Sequence, residues 1–394
     1  MNGRELLRLL LAQICVHSAM TGARLAAPLR ALQLGQSAAE IGVLLALFAL
    51  SPVLLALPAG RLADRHGLHL PLALAVISAT AGTLLAALWP NFGVLCVASL
   101  LTGAAAGTAQ ITLQRHVGRA ATDTADLKRV FSWIAIAPAM ANFLGPLAAG
   151  LLIDHAGPQP GDELGYRAAY GFLALLPLVC WLLARGAPRL PTQPAPAQAE
   201  GARTSVWELL GVAPLRRLLL INWLQALAWD VHTFVLPLLG HQRGLSASTI
   251  GVLLGSFAIA AALVRVLLPL LAARVPEWQV MYVASLTAAV MLLLYPLTAG
   301  PLGMGACSVV LGLALGAVQP MVLSMLHQVA PPARQGEAMA LRVMTINFSS
   351  FVMPMLFGSV GAVIGLSALF WLVAGAQALG VRAIPALRQV RPPH

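Results

Sequence analysis

The chain has 394 residues, of which 59% are hydrophobic and only 9% charged. A soluble domain carries about 25% charged residues, so no soluble fold hides this much apolar surface and the bilayer has to act as solvent. The formal net charge of +11 would point to nucleic acid in a soluble protein. Here most of the 24 basic residues flank apolar runs on one side of the membrane, which is a topology signal and argues against a nucleic-acid partner.

The apolar runs are about 20 residues long and do not alternate, which selects helices over strands. Span 1 is expected from Leu6 to Leu29 and carries Gln13, His17 and Arg24 on one helical stripe. Arg4 and Arg8 ahead of it imitate a secretory leader. The run is too long and further spans follow, so it is expected to be retained. Span 2, Ser37 to Ala59, has a single charge, Glu40. The stretch Gly60-Arg61-Leu62-Ala63-Asp64-Arg65-His66-Gly67 then reads as a short aqueous loop. In it, Gly67 is expected at φ > 0 as a helix C-cap and Gly60 is expected to permit close helix approach. Span 3, Leu70 to Leu88, ends at Trp89-Pro90-Asn91, an interfacial tryptophan followed by a turn.

Span 4, Val94 to Leu113, contains Gly103-Ala104-Ala105-Ala106-Gly107, small residues that let helices pack closely. A charged loop from Arg115 to Arg129 leads into span 5, Val130 to Ile153, where Pro146 removes a backbone donor. Span 6 covers Tyr170 to Leu183. Beyond it Gly186 to Arg203, rich in Pro, Ala and Gln, reads as a semi-extended linker. Ser205-Val206-Trp207-Glu208 reads as a capping box opening a short surface helix. The expected division is an N-terminal bundle over 1–185, a linker over 186–213 and a C-terminal bundle over 214–394.

Span 7, Leu215 to Leu239, holds Asn222, Gln225, Asp230 and His232. Span 8, Thr249 to Ala272, has Arg265 inside it. Spans 9 and 10 cover Val280 to Leu297 and Met304 to Leu326, the latter interrupted by Gln319 and Pro320. Spans 11 and 12, Ala338 to Val363 and Leu366 to Ile384, bring the total to about twelve. With the N-terminus inside, only Arg24, Arg30, Arg167 and Arg243 lie toward the far side and Arg265 lies within a span. The bias places both termini in the cytoplasm, in a multi-pass protein of the cell (inner) membrane.

The chain also repeats itself. Ile41-Gly42-Val43-Leu44-Leu45 recurs as Ile250-Gly251-Val252-Leu253-Leu254, and in the same register Pro28 meets Pro237, Ser37 meets Ser246, Phe48 meets Phe257 and Arg65 meets Arg274. In nearly the same register Pro146 and Gly150 resemble Pro354 and Gly358. Two six-span halves in parallel duplication follow.

The order of residue types from Gly60 through Leu62, Asp64 and Arg65 to Gly67 resembles the loop 2–3 signature of the major facilitator superfamily, Gly-x-Leu-Ala-Asp-Arg-x-Gly-Arg-Lys. Leu68 and His69 stand where its final Arg and Lys would be. Gly145-Pro146-Leu147-Ala148-Ala149-Gly150 is similar to the family's span-5 antiporter motif, Gly-Pro-x-x-Gly-Gly, with Ala141 and Ser132 at upstream glycine positions. Many proton-coupled members have an Arg where Ser99 stands, a departure that counts against the usual antiport arrangement in this half. The resemblance implies an all-α membrane fold of two pseudo-symmetric six-helix bundles, working by alternating access around a cavity lined by spans 1, 4, 7 and 10. It also implies that Asp64 is a latch facing the start of span 11, where Arg342 lies one turn further in as a partner.

No phosphate loop with a lysine is present, the sole lysine being Lys128, and nothing resembles catalysis. Cys15, Cys96, Cys180 and Cys307 lie singly in separate runs, without metal spacing. No enzyme activity, cofactor or metal is expected. Asp230 is the sole carboxylate well inside a predicted span. It reads as a proton-coupling or cation-recognising group, or as the structural partner of Arg24 in a pair that closes the outer side. His17 is a proton site or a packing residue. Gln13, Gln110, Gln114, Asn222, Gln225 and Gln319 are candidates for a substrate cavity or for interhelical glue. Arg265 has no partner evident in the sequence. The expected function is proton-coupled efflux of a small organic compound by a monomer. The alternatives are proton-coupled uptake of a metabolite and a transporter-like sensor that binds without moving its ligand.

Overall fold

A computed structural model describes residues 3–120, 136–188, 206–271, 275–331 and 334–389. Among these residues there is no strand, and twelve helices are long and apolar enough to cross a membrane. The first six are α1 (Gly3–Gln33), α2 (Ala38–His66), α3 (His69–Leu88), α4 (Phe92–Ala120), α5 (Ile136–His155) and α6 (Glu163–Ala184). After a 3-10 helix at Val206–Gly211 come α7 (Ala213–Gln242), α8 (Ala247–Leu271), α9 (Glu277–Leu294), α10 (Pro301–Val329), α11 (Gln335–Ile364) and α12 (Leu366–Val381). The protein is a multi-pass membrane protein. The early part of expected span 5 with Ser132, most of the linker with Ser205, and Arg274 lie outside the described residues.

Lipid is as apolar as leucine, so helices here associate through close packing rather than by hiding large side chains. The burial pattern follows. Ala12, Ala19, Ala26, Ala27 and Ala31 of α1 are fully buried, whereas Leu54, Ile77, Val283 and Leu302 are exposed.

The repeat reappears as atomic geometry. α1 ends in a Schellman motif, with Gln36 N–H donating to Ala31 O and Gly35 N–H to Leu32 O, both at 3.0 Å. α7 ends the same way, with Leu245 N–H donating to Gly240 O at 2.9 Å and Gly244 N–H to His241 O at 3.0 Å. Gly35 and Gly244 supply the positive φ, 79° and 71°, that this cap needs. Ser37 and Ser246 then each accept a backbone N–H at the start of the next helix, from Glu40 at 3.3 Å and Thr249 at 3.2 Å. In α2 the Glu40 carboxylate accepts a bond in return from Ser37 N–H at 2.7 Å, completing a capping box. The crossings repeat too. A Cβ at Gly103 of α4 would strike the Phe48 carbonyl of α2, and one at Gly312 of α10 would strike the Phe257 carbonyl of α8. Gly107 against Pro52 corresponds in turn to Gly316 against Ala261.

Two expectations need correction. Gly60 to His66 is not a loop: α2 continues through it to His66, and only Gly67 and Leu68 separate α2 from α3. Leu62 and Ala63 bring apolar surface into this last stretch, and the helix ends where Gly67 takes φ 69° and donates to Ala63 O at 3.1 Å. Nor does Gly60 allow a close approach, since a Cβ there would meet nothing within 4 Å. Arg65 is exposed, and the side chain of Asp64 lies outside the described residues.

The helices form two compact units, one of Met1–Ala197 with Gly240–Gly255, the other of Gln198–Leu239 with Ser256–His394. The first turns of α8 thus join the first unit, and glycine contacts with α5 show why. A Cβ at Gly150 would lie 2.5 Å from Ala247 O, one at Gly251 would lie 2.6 Å from Pro146 O, and one at Gly255 would strike Phe143.

Candidate functional site

In the second unit α7 carries the four polar residues expected of it, and all are buried: Asn222 1%, Gln225 2%, Asp230 3% and His232 0% exposed. Polar groups removed from water need partners, and these draw them from three other helices, α9, α10 and α11. Asp230 accepts from two hydroxyls of α11, Ser349 Oγ to Oδ2 at 2.8 Å and Ser350 Oγ to Oδ1 at 3.2 Å. A hydroxyl can donate to a carboxylate or accept from a carboxyl group, so this pairing suits both protonation states.

Two residues further on, His232 Nε2 lies 3.1 Å from Ser308 Oγ of α10, which lies 2.8 Å from Tyr295 Oη. The imidazole stacks on Phe257 with centroids 4.3 Å apart and meets the Tyr295 ring edge-on at 5.5 Å. Trp229 packs against the same Phe257 at 4.5 Å. His232 is therefore held by a hydrogen bond and two ring contacts, as a structural part of the stripe. Deeper toward the start of α7, Gln225 Nε2 donates to Ser285 Oγ of α9 at 2.8 Å. Asn222 Oδ1 accepts from Arg342 Nε of α11 at 3.1 Å, and Gln319 Oε1 of α10 accepts from Arg342 Nη2. Arg342, expected as the partner of Asp64, thus binds α7 and α10.

In the first unit Gln13 is buried at 1% exposure, and neither of its amide atoms has a partner among the described residues. His17 and Arg24 are half-buried on the same helix. Gln110 and Gln114 of α4 are half-buried. The span-5 motif is a packing seam. Gly145 sits against Ser18 and Gly22 of α1, beside a bond from Thr21 Oγ1 to Ala141 O at 2.7 Å, while Pro146 and Gly150 sit against α8.

One charged group escaped the sequence reading. Asp154, at the end of α5, is 8% exposed and accepts from the N–H groups of Ala247 at 3.0 Å and Ser248 at 2.7 Å. Both carboxylate oxygens thus satisfy free donors at the start of α8. Its place in the last turn of an apolar run made it look like an ordinary polar helix end. The glycines at 150 and 251, which bring the two helices together, were the available signal. Among the described residues no group of three or more His, Cys, Asp or Glu is placed to hold a metal ion.

Comparison with known proteins agrees with this architecture. A family model described as Major Facilitator Superfamily matches residues 9–307 and, again, 218–394. No curated protein matches. The structure is similar to that of a mutant form of the nucleoside transporter NupG, with TM-score 0.77 at 16% identity, covering 97% of this chain and 99% of that one. It is similar to a bacterial homolog of the human lysosomal transporter Spinster, in an inward-facing and occupied conformation, with TM-score 0.77 at 15% identity and coverage of 98% and 96%. A POT family transporter in complex with a thioalcohol-conjugated peptide gives TM-score 0.74 at 15% identity, with coverage of 98% and 96%.

Proposed function

The chain belongs to the major facilitator superfamily, and from that premise we propose that it exports a small organic compound by alternating access, driven by protons entering through Asp230. The observation that carries the proton role is the pairing of a buried carboxylate with two hydroxyls, which tolerates a change of charge state. The Asn222 and Gln225 side chains along the same helix supply polar groups for substrate and for helix contact. The solved neighbours are named for a nucleoside transporter, a Spinster homolog and a peptide-bound POT protein. Their differing substrates mean that the fold alone does not choose the compound.

The export direction rests on Gly145, Pro146 and Gly150, which match the antiporter motif in type. Uptake is the second reading, and Ser99 favours it: it is fully buried and bonds Leu95 O at 2.8 Å where many proton-coupled relatives have an arginine. We place both termini in the cytoplasm and take the monomer as the working unit. Accumulation of a panel of dyes and drugs in cells with and without the gene tests direction. Lower accumulation with the gene supports export, and higher accumulation moves the reading to uptake.

A further inference from the structure

The second unit holds two intramembrane cations that proton coupling does not use. Arg342 is aimed by the Asn222 and Gln319 amide oxygens. Both are neutral acceptors, so they orient the guanidinium without cancelling its charge. Asn222 is almost fully buried, and its Nδ2 has no acceptor among the described residues. Because Arg342 donates into Oδ1, the free end of this amide is the N–H2 group. A buried donor of this kind calls for an oxygen acceptor.

Arg265 lies at the same level. α8 and α10 run side by side in the same direction, with Gly312 against Phe257 and Gly316 against Ala261. One turn further along, that register brings Gln319 beside Val264 and Arg265. The side of α8 that carries Arg265 also carries Ala258 and Ala261, 4% and 1% exposed. The opposite side carries the exposed Val252, Ile259, Leu263 and Val266 and faces lipid. Arg265 is nevertheless exposed. Among the described residues no hydrogen bond or ion pair to Arg265 is found. A cation at membrane depth is costly unless it meets water, an acceptor or an anion.

We propose that Arg265, Arg342 and the Nδ2 group of Asn222 bind the oxyanion, carboxylate or phosphate, of an acidic organic compound. That this compound is the transported one rests on the transport reading above; the anion site does not. Guanidinium groups recognise both oxyanions through paired N–H donors, and the bidentate geometry favours them over a neutral amide.

The test uses the full chain in nanodiscs, titrated by calorimetry at constant ionic strength with benzoate, phenyl phosphate and, as the neutral control, benzamide. At least one of the two anions is expected to bind about ten times more tightly than benzamide, and which one does so identifies the headgroup. Arg265→Gln is expected to weaken that binding at least tenfold, while Arg265→Lys, which keeps the charge but loses the paired donors, weakens it less. A thermal midpoint unchanged by Arg265→Gln shows that the variant is folded; if it falls, the comparison of Arg265→Lys with wild type carries the test. Anions that bind wild type no better than benzamide, or equally well in Arg265→Gln, overturn the site and leave Arg265 as a cation reaching for the membrane surface. Flux of the preferred anion into proteoliposomes separates the two readings. Binding without flux keeps the site and overturns transport. Flux unaltered in Arg265→Gln keeps transport and overturns the site.

Discussion

Asp154 and Asp230 are both buried carboxylates, and the bonds described for them differ in kind. Asp154 accepts from two backbone N–H groups, which can only donate, so it serves as a fixed helix cap. Asp230 accepts from two hydroxyls, which can reverse polarity. Asp154→Ala is expected to lower stability by about 0.5–2 kcal/mol through the uncapped start of α8, with Asp154→Asn intermediate because its remaining oxygen still accepts. Thermal unfolding in detergent reads this, and an unmoved midpoint in Asp154→Ala would remove the cap from the account. Asp230 was legible because no other carboxylate lies well inside a predicted span. Asp154 was not, since an acidic residue at the end of a span is ordinary, and only the fold reveals that another helix begins on top of it.

At the scale of the element, the sequence repeat predicts more than the count of spans. The pairing of Ser37 with Ser246 marks two N-caps, and that of Phe48 with Phe257 marks two carbonyls covered by glycine. These local devices were readable because a cap and a close crossing each demand particular residue types. Gly60 shows the limit: glycine in a motif suggested close approach, while a Cβ added there would meet nothing within 4 Å. Gly103→Ala and Gly312→Ala should each cost about 1–3 kcal/mol by overpacking. Gly60→Ala should be neutral or stabilising by up to about 1 kcal/mol, as an alanine gained in a helix. Melting temperatures of the three variants check this; a loss for Gly60→Ala as large as for Gly103→Ala would restore a packing role to that glycine.

For the whole molecule, apolar run length was enough to place twelve helices, because every backbone polar group in lipid has to be satisfied within its own segment. What run length could not show is that the start of α8 belongs with the first unit. That depends on Gly150, Gly251 and Asp154 meeting in space. Orientation is set by charge, and single cysteines test it in a cysteine-free background. An impermeant thiol reagent applied to intact cells should label Asn91→Cys and spare Gln193→Cys, whereas labelling of Gln193→Cys would invert the topology.

The central claim is that Asp230 couples the movement of a small compound to protons. It is tested by comparing wild type and Asp230→Asn in proteoliposomes, for one transported compound, under an imposed pH gradient and again in exchange without a gradient. Asp230→Asn is expected to lose gradient-driven accumulation while retaining most of the exchange. Full gradient-driven accumulation by Asp230→Asn would contradict it.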